Sequence, residues 1–155
     1  MKLHEENMKK IASLSIVEDV ENQKFLMIEH QRGINKGCKN FPGGKKEPNE
    51  TIKECAIRET FEETGIHIYN PVEVGYIEFP SNNFYVHIYK TTEFSGELIE
   101  NKDEVKVFWV DKKDIPYDDM READRDFLPA ILSGQHVKRR YIYDENFHIA
   151  DIINL

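Results

Sequence analysis

Cysteine is scarce in this chain of 155 residues, with only Cys38 and Cys55 present. So low a count fits a reducing compartment: Cys55 reads as a small core residue, and Cys38 falls in a loop. No apolar run approaches the roughly 18 residues of a membrane-spanning helix. The opening Met1-Lys2-Leu3-His4-Glu5-Glu6 lacks the form of a secretory signal. Positive charge is also in short supply. With 21 Lys and Arg against 29 Asp and Glu, the net charge of -8 argues against a broad footprint for a nucleic-acid polymer or an anionic membrane. A small phosphorylated ligand stays compatible, because a bound metal reverses the sign locally. Repeats, linkers and low-complexity segments are missing too. The length suits one domain, residues 1–155, expected in the cytoplasm as a monomer or homodimer.

What the chain does have is concentrated between Asn40 and Ile66. The run Asn40-Phe41-Pro42-Gly43-Gly44 makes a glycine-rich turn. A helix of about four turns follows, with Asn49 or Glu50 expected to cap its start and Gly65 to stop it. At 3.6 residues per turn, Ile52, Cys55, Ala56, Glu59, Glu62 and Glu63 share one stripe, and Ile57 and Phe61 lie opposite. Both faces are therefore expected to be buried. The first is apolar at its beginning and carries only glutamates over its last turn and a half. On its own, E-x-x-E-E reads as a solvated acidic face. Crowded into a low dielectric, however, three such carboxylates repel one another and shift toward neutral unless a cation joins them. Oxygen-only ligands favour a hard ion, Mg²⁺ or Mn²⁺, which retains waters and binds through carboxylates and substrate phosphates.

The complete spacing goes further than the carboxylates alone. Gly44, Glu50, Arg58, Glu59, Glu62, Glu63, Gly65 and Ile66 stand in register with G-x5-E-x7-R-E-U-x-E-E-x-G-U, U being a bulky apolar residue, so the stretch resembles the signature of the Nudix hydrolases. Thr60, at the first U, is the one departure. The resemblance implies an α/β fold, an α/β/α sandwich with a mixed central sheet. It also implies an enzyme that cleaves a nucleoside diphosphate linked to a further moiety with a Mg²⁺ cluster. Carried onto this chain, Glu62 and Glu63 are metal ligands, Glu59 is a ligand or the base, and the Gly43 carbonyl completes the metal site. Arg58 orients Glu59, Glu50 supports the junction of loop and helix, and Asn40 and Gly44 lie against the substrate. Glycine suits the turn because the backbone must approach metal and phosphate with no Cβ in the way.

Along the rest of the chain, Lys10 to Val17 and Lys24 to Glu29 read as strands of a hairpin. The polar stretch His30 to Gly37 reads as a loop, at the place where the resemblance to Nudix chains implies a loop over the substrate, and Arg32 in it can grip phosphate bidentately. Ile66 to Phe79 and Phe84 to Thr92 read as strands broken by Pro80-Ser81-Asn82-Asn83, and Glu104 to Val110 as a further strand. Glu104, at its opening, matches the place from which many Nudix enzymes supply another glutamate to the metal cluster. A helix over roughly Arg121 to Leu132 and a closing hairpin, Val137 to Tyr143 and Phe147 to Ile153, complete the reading.

The last third, with Trp109-Val110-Asp111, Ile115-Pro116-Tyr117-Asp118-Asp119-Met120 and Phe127 to Gly134, is similar to one Nudix branch, the 8-oxo-dGTP diphosphatases. That branch hydrolyses oxidised purine nucleoside triphosphates to monophosphate and pyrophosphate. It closes a short helix over the base with a tryptophan, two aspartates and another aromatic. Asp124 and Phe127 fall on the second aspartate and that aromatic, whereas Arg121 replaces the tryptophan and Ala123 the first aspartate. The implied function is a Mg²⁺-dependent triphosphate diphosphatase for oxidised purine nucleotides. The competing readings are a Nudix hydrolase of ADP-ribose, a nucleotide sugar or a dinucleoside polyphosphate, and a non-catalytic sensor on the same scaffold, against which the intact glutamates argue.

Overall fold

The computed structural model describes residues 8–100 and 103–155; the opening hexapeptide read for a signal lies outside them. In chain order the elements are β1 (Lys10–Asp19), β2 (Lys24–His30), β3 (Lys39–Asn40), β4 (Gly43–Lys45), α1 (Ile52–Thr64), β5 (Ile66–Tyr69) and β6 (Val72–Phe79). They continue with β7 (Phe84–Thr91), β8 (Glu93–Gly96), β9 (Val105–Asp111), α2 (Glu122–Leu132), β10 (Val137–Tyr143) and β11 (Ile149–Asn154). Among the described residues nine strands join into one mixed sheet, with β5 and β8 as a separate pair. The β1–β7 and β6–β10 pairings are parallel.

Strand β1 is buried along most of its length because it is covered on both faces. Its alternation divides the molecule. Leu14 and Ile16 point toward Phe127, Leu128 and Ile131 of α2. On the other face, Ser13 meets the Cys55 thiol at 3.5 Å and the Ser15 hydroxyl donates to the Ala56 carbonyl at 3.5 Å, both on α1. The two helices thus cover opposite faces of the sheet, as the sandwich expectation requires. In β2 the same alternation sends Phe25 and Met27 into the α2-side core, and Leu26 and Ile28 into a second core with Ile66, Ile68, Val105 and Val107.

The hairpin of β1 and β2 is paired only at its turn end, Glu18 with Phe25 and Asp19 with Lys24. Beyond that the strands part, and β4 takes the vacated edge of β1, pairing Leu14 with Gly43 and Ala12 with Lys45. This divergence opens the wedge in which the glycine turn sits. Four expectations need correction. The helix is capped by Thr51, not by Asn49 or Glu50: its hydroxyl accepts from the Glu54 N–H at 3.1 Å, and the Glu54 carboxylate accepts from the Thr51 N–H at 2.9 Å. The strand expected over Ile66 to Phe79 is two strands, divided where Asn70 takes φ of 50° and Pro71 has no N–H to give. Phe61 is not buried but 52% exposed. Finally, α2 begins at Glu122, with Arg121 as the residue before its first turn.

Candidate active site

The turn into α1 is shaped by two close approaches. A Cβ on Gly43 would lie 2.0 Å from the Ser13 carbonyl oxygen, and one on Gly44 would lie 2.4 Å from a Glu59 carboxylate oxygen. Backbone therefore packs directly on backbone at the first position and on a functional carboxylate at the second. Glu63 reaches back to the same turn, its carboxylate accepting the Gly43 N–H at 2.7 Å. At the far end of α1, Gly65 takes φ of 84° and donates to the Phe61 carbonyl at 2.9 Å, stopping the helix after the last glutamate.

Arg58 ties the charged groups together. Its guanidinium donates to both Glu50 carboxylate oxygens, at 2.9 and 2.7 Å, to Glu59 at 2.9 Å, to Glu62 at 3.1 Å and to the Lys45 carbonyl at 3.2 Å. The bidentate pair with Arg58 holds the Glu50 carboxyl down to about 2, helped by the Glu47 N–H, and Glu50 in turn raises Arg58. Glu50 therefore braces the loop against the helix, and Arg58 orients Glu59, by direct contacts. Burial pushes Glu59 up despite Arg58. Burial pushes Glu63 up to about 7, the charges of Glu59 and Glu62 adding to it and the Gly43 N–H opposing it.

Among the described residues, no group of three or more His, Cys, Asp or Glu side chains is arranged around a common point to hold a metal ion. The donor set nevertheless suits a hard divalent cation. It is made of carboxylate oxygens on successive turns of one helix, with the half-buried Glu63 driven toward neutrality first by burial and then by the charges of Glu59 and Glu62, the conflict that a cation relieves.

A cleft of about 340 Å³ runs from this turn to the start of α2, lined by Asn40, Gly43, Gly44 and Glu63 at one end and by Asp124 and Phe127 at the other. Asn40 spans the two ends: its side-chain oxygen accepts from the Phe41 N–H at 2.8 Å, and its amide donates to Asp124 at 3.3 Å. Burial pushes the Asp124 carboxyl up to about 6, against the charge of Arg121. Phe127 serves both the cleft and the core, and is 2% exposed. Ala123 lines the wall beside them.

Arg32 and Glu104 are not brought to that lining. Both lie where the loop after β2 meets the approach to β9: Arg32 pairs with Asp103 at 3.3 Å with its side chain 67% exposed, and the Glu104 carbonyl accepts from the Gln31 N–H at 2.8 Å while the residue stays exposed. Other lining residues carry no local sequence signal. His30 is held below its ordinary value by burial and by the charge of Arg121. Lys39 joins Asp119 at 2.6 Å and Glu29 at 3.2 Å, fastening the segment before α2 to β2 and β3. Arg121 hydrogen-bonds Asn35 across the mouth, and Phe79 and Tyr143 form the remote wall.

Comparison with known proteins agrees with this architecture. The NUDIX domain family matches residues 8–131. An oxidized purine nucleoside triphosphate hydrolase of Danio rerio is 31% identical over 144 residues, covering 90% of this chain and 89% of that protein. An 8-oxo-dGTP diphosphatase of Proteus vulgaris is 30% identical over 59% of this chain and 84% of its own length. Among solved structures, the MutT protein from Bacillus halodurans superposes with a TM-score of 0.77 at 25% identity, covering 93% of this chain and 96% of that one. With the signature turn and helix, the mixed sheet between two helices and these relatives in agreement, the chain belongs to the NUDIX family and is a Nudix hydrolase, an enzyme of phosphoanhydride cleavage.

Proposed function

We propose that this enzyme is a Mg²⁺-dependent nucleoside triphosphate diphosphatase that acts on oxidised purine nucleotides such as 8-oxo-dGTP, releasing the monophosphate and pyrophosphate. The observation that carries the reading is the continuity of one cleft. Gly43, Gly44 and Glu63 line the end suited to phosphates, and Asp124 and Phe127 line the end suited to a base. The Danio rerio and Proteus vulgaris relatives, named for such substrates, support it.

Nudix hydrolases use divalent cations, and here Glu62 and Glu63, with the Gly43 carbonyl, would hold one; of the two roles open to Glu59, ligand or base, we assign the base. When bound, the cation supplies neutralisation of the polyphosphate and of the leaving pyrophosphate. The chain's own groups do the rest. Arg58 fixes Glu59 in one orientation at 2.9 Å, and burial raises the basicity of that carboxylate. Water attacks phosphorus, Glu59 accepts its proton, and the bridging P–O bond breaks with its electron pair leaving on pyrophosphate. Gly43 and Gly44 let the turn close on the Ser13 backbone and on the Glu59 carboxylate, which holds that base at the phosphate end of the cleft. At the other end Asp124, held by Asn40, accepts from the N1–H and 2-amino donors of a guanine-type base, and Phe127 packs against the ring. Arg32 and Glu104, neighbours on the rim, take supporting roles toward the phosphate tail and the cation.

The proposed setting is the cytoplasm, as a monomer or homodimer; among the described residues no helix is long and apolar enough to cross a membrane. A substrate panel tests the reading. 8-oxo-dGTP, dGTP, ADP-ribose, a nucleotide sugar and a dinucleoside polyphosphate are incubated with Mg²⁺ and with Mn²⁺, and pyrophosphate and phosphate release are followed separately. Pyrophosphate from the oxidised purine triphosphate at the highest kcat/KM is expected. Preferential cleavage of ADP-ribose or of a nucleotide sugar would overturn it.

A further inference from the structure

The base end of the cleft contains one hydroxyl that the fold leaves available. Tyr143, the last residue of β10, reaches the cleft because β10 runs parallel to β6, which brings the end of the strand beside Phe79. Its ring lies 9° from the plane of Phe79, with centroids 6.0 Å apart, so the ring is held by stacking. Tyr141, two residues earlier on the same strand, also stacks on Phe79, but its hydroxyl donates to Asp126 at 2.6 Å. The Tyr143 hydroxyl makes no hydrogen bond among the described residues. It is not sealed in the core either, since none of their buried side-chain polar atoms lacks a partner. It is therefore accessible, on a residue that lines the cleft. Tyr143 and Asp124 line the same cleft, and burial, with the charges of Asp124 and Glu122 outweighing that of Arg121, pushes the phenol up.

Asn40, the amide donor beside Asp124, has one of its two N–H groups committed. Its side-chain oxygen is occupied by the Phe41 N–H, and its amide already donates to Asp124. The base end thus presents a carboxylate acceptor, Asp124, with one uncommitted hydroxyl donor near it. The 6-oxo edge of a guanine-type base offers the reverse order, an O6 acceptor beside an N1–H donor. An adenine-type edge offers a 6-amino donor beside an N1 acceptor.

We propose that Tyr143 is a specificity-determining residue, whose hydroxyl donates to O6 of a guanine-type base while Asp124 accepts from N1–H. The inference rests on the proposed triphosphate diphosphatase activity and deepens it by naming the side chain that reads O6 of the base. Tyr143 supplies from the C-terminal hairpin a side chain that the start of α2, with Arg121 and Ala123, does not provide. A 6-amino purine meets a hydroxyl facing an amine and a carboxylate facing the N1 lone pair, and that second clash is repulsive.

Tyr143→Phe tests this, because the ring and its contact with Phe79 remain while the donor goes. Wild type and variant are assayed on 8-oxo-dGTP, dGTP and 8-oxo-dATP. The expected result is a roughly 5- to 10-fold fall in kcat/KM for the two guanine nucleotides, the effect of one lost neutral hydrogen bond. That loss should be carried by KM, with kcat and the 8-oxo-dATP constants within about twofold. A second arm uses wild-type protein alone and compares dGTP with 6-thio-dGTP, which keeps N1–H but offers a weaker acceptor; a several-fold rise in KM is expected. Equal losses on all substrates, an unchanged preference in the variant, or no penalty for the thio nucleotide would overturn the assignment of Tyr143. Failure of wild type to hydrolyse any purine triphosphate would instead remove the diphosphatase reading and this inference with it.

Discussion

At the α1 end of the cleft the polar groups are charged and bound to one another, whereas the α2 end holds a single buried carboxylate among rings and neutral partners. Arg58 alone engages Glu50, Glu59, Glu62 and the Lys45 carbonyl, and Gly43 and Gly44 let that network touch the backbone. Around Asp124 stand the Asn40 amide, Phe127, Ala123 and Tyr143, with Arg121 acting only through its charge. A network of interlocked charges suits chemistry that is the same for every nucleotide. A sparse polar site within an apolar wall suits discrimination, since each buried group left unpaired by a wrong base carries a penalty. The two ends should therefore respond differently to substitution, the first in turnover and the second in substrate preference.

The largest expected effect lies at the first end. Glu62→Gln should lower kcat by about 100-fold or more on every substrate, by analogy with the loss of other essential catalytic carboxylates. It should leave folding intact, because it removes like charge from beside Glu59 and Glu63. Steady-state kinetics in saturating Mg²⁺ and a thermal melt check it, and near-wild-type turnover would break the contrast.

Asp124→Ala comes next, and should act on selection. The KM for 8-oxo-dGTP is expected to rise about 10- to 100-fold, the effect of losing a charge-assisted pair of hydrogen bonds, with a much smaller change on dCTP. Equal losses on 8-oxo-dGTP, dGTP and dCTP would show that Asp124 supports α2 and does not read the base.

Glu104→Gln sharpens the boundary between the ends. Lying on the rim, it should reduce kcat about tenfold with KM little changed, as for an interaction made mainly in the transition state. An unchanged rate returns Glu104 to the solvated surface.

The smallest effect concerns stability alone. Glu50 sits at about 2 in the folded protein against an ordinary 4.5, so its folded value is depressed. Its contribution is complete above about pH 4.5 and is lost as pH falls toward 2. The unfolding free-energy difference between wild type and Glu50→Gln, measured by urea titration at successive pH values, should shrink across that window and be flat above it. A difference that grows on acidification would contradict the Glu50–Arg58 pairing.

How far the site could be read in advance follows the reach of each interaction. The contacts of Arg58 with Glu50 and Glu59 span eight residues and one residue, within the span of one loop and helix, and spacing alone expresses them. The helix cap misled because Asn49, Glu50 and Thr51 are all capping types in a row. Thr51 won by having Glu54 three residues on for a reciprocal bond, and that left Glu50 free for Arg58. Phe61 was expected inside from helical periodicity, yet α1 packs mainly through Cys55, Ala56, Thr60 and Thr64, which leaves Phe61 with an edge contact to the His67 ring of β5 and half exposed.

The order of residues by itself determined the glycine turn and the helix with its carboxylates and arginine, and through their resemblance to the Nudix signature it implied the α/β architecture. The turn and the helix are set by periodicity and by contacts close along the chain. Only the tertiary structure decided that β1 and β2 part so that β4 can enter, that Asn40 bridges to Asp124 across 84 residues, that Arg32 and Glu104 share a rim outside the cleft lining, and that Tyr143 joins the base end. Each depends on which strand edges meet. Strand pairing is fixed by the packing of both faces of the sheet at once, and no stretch of sequence carries that information alone.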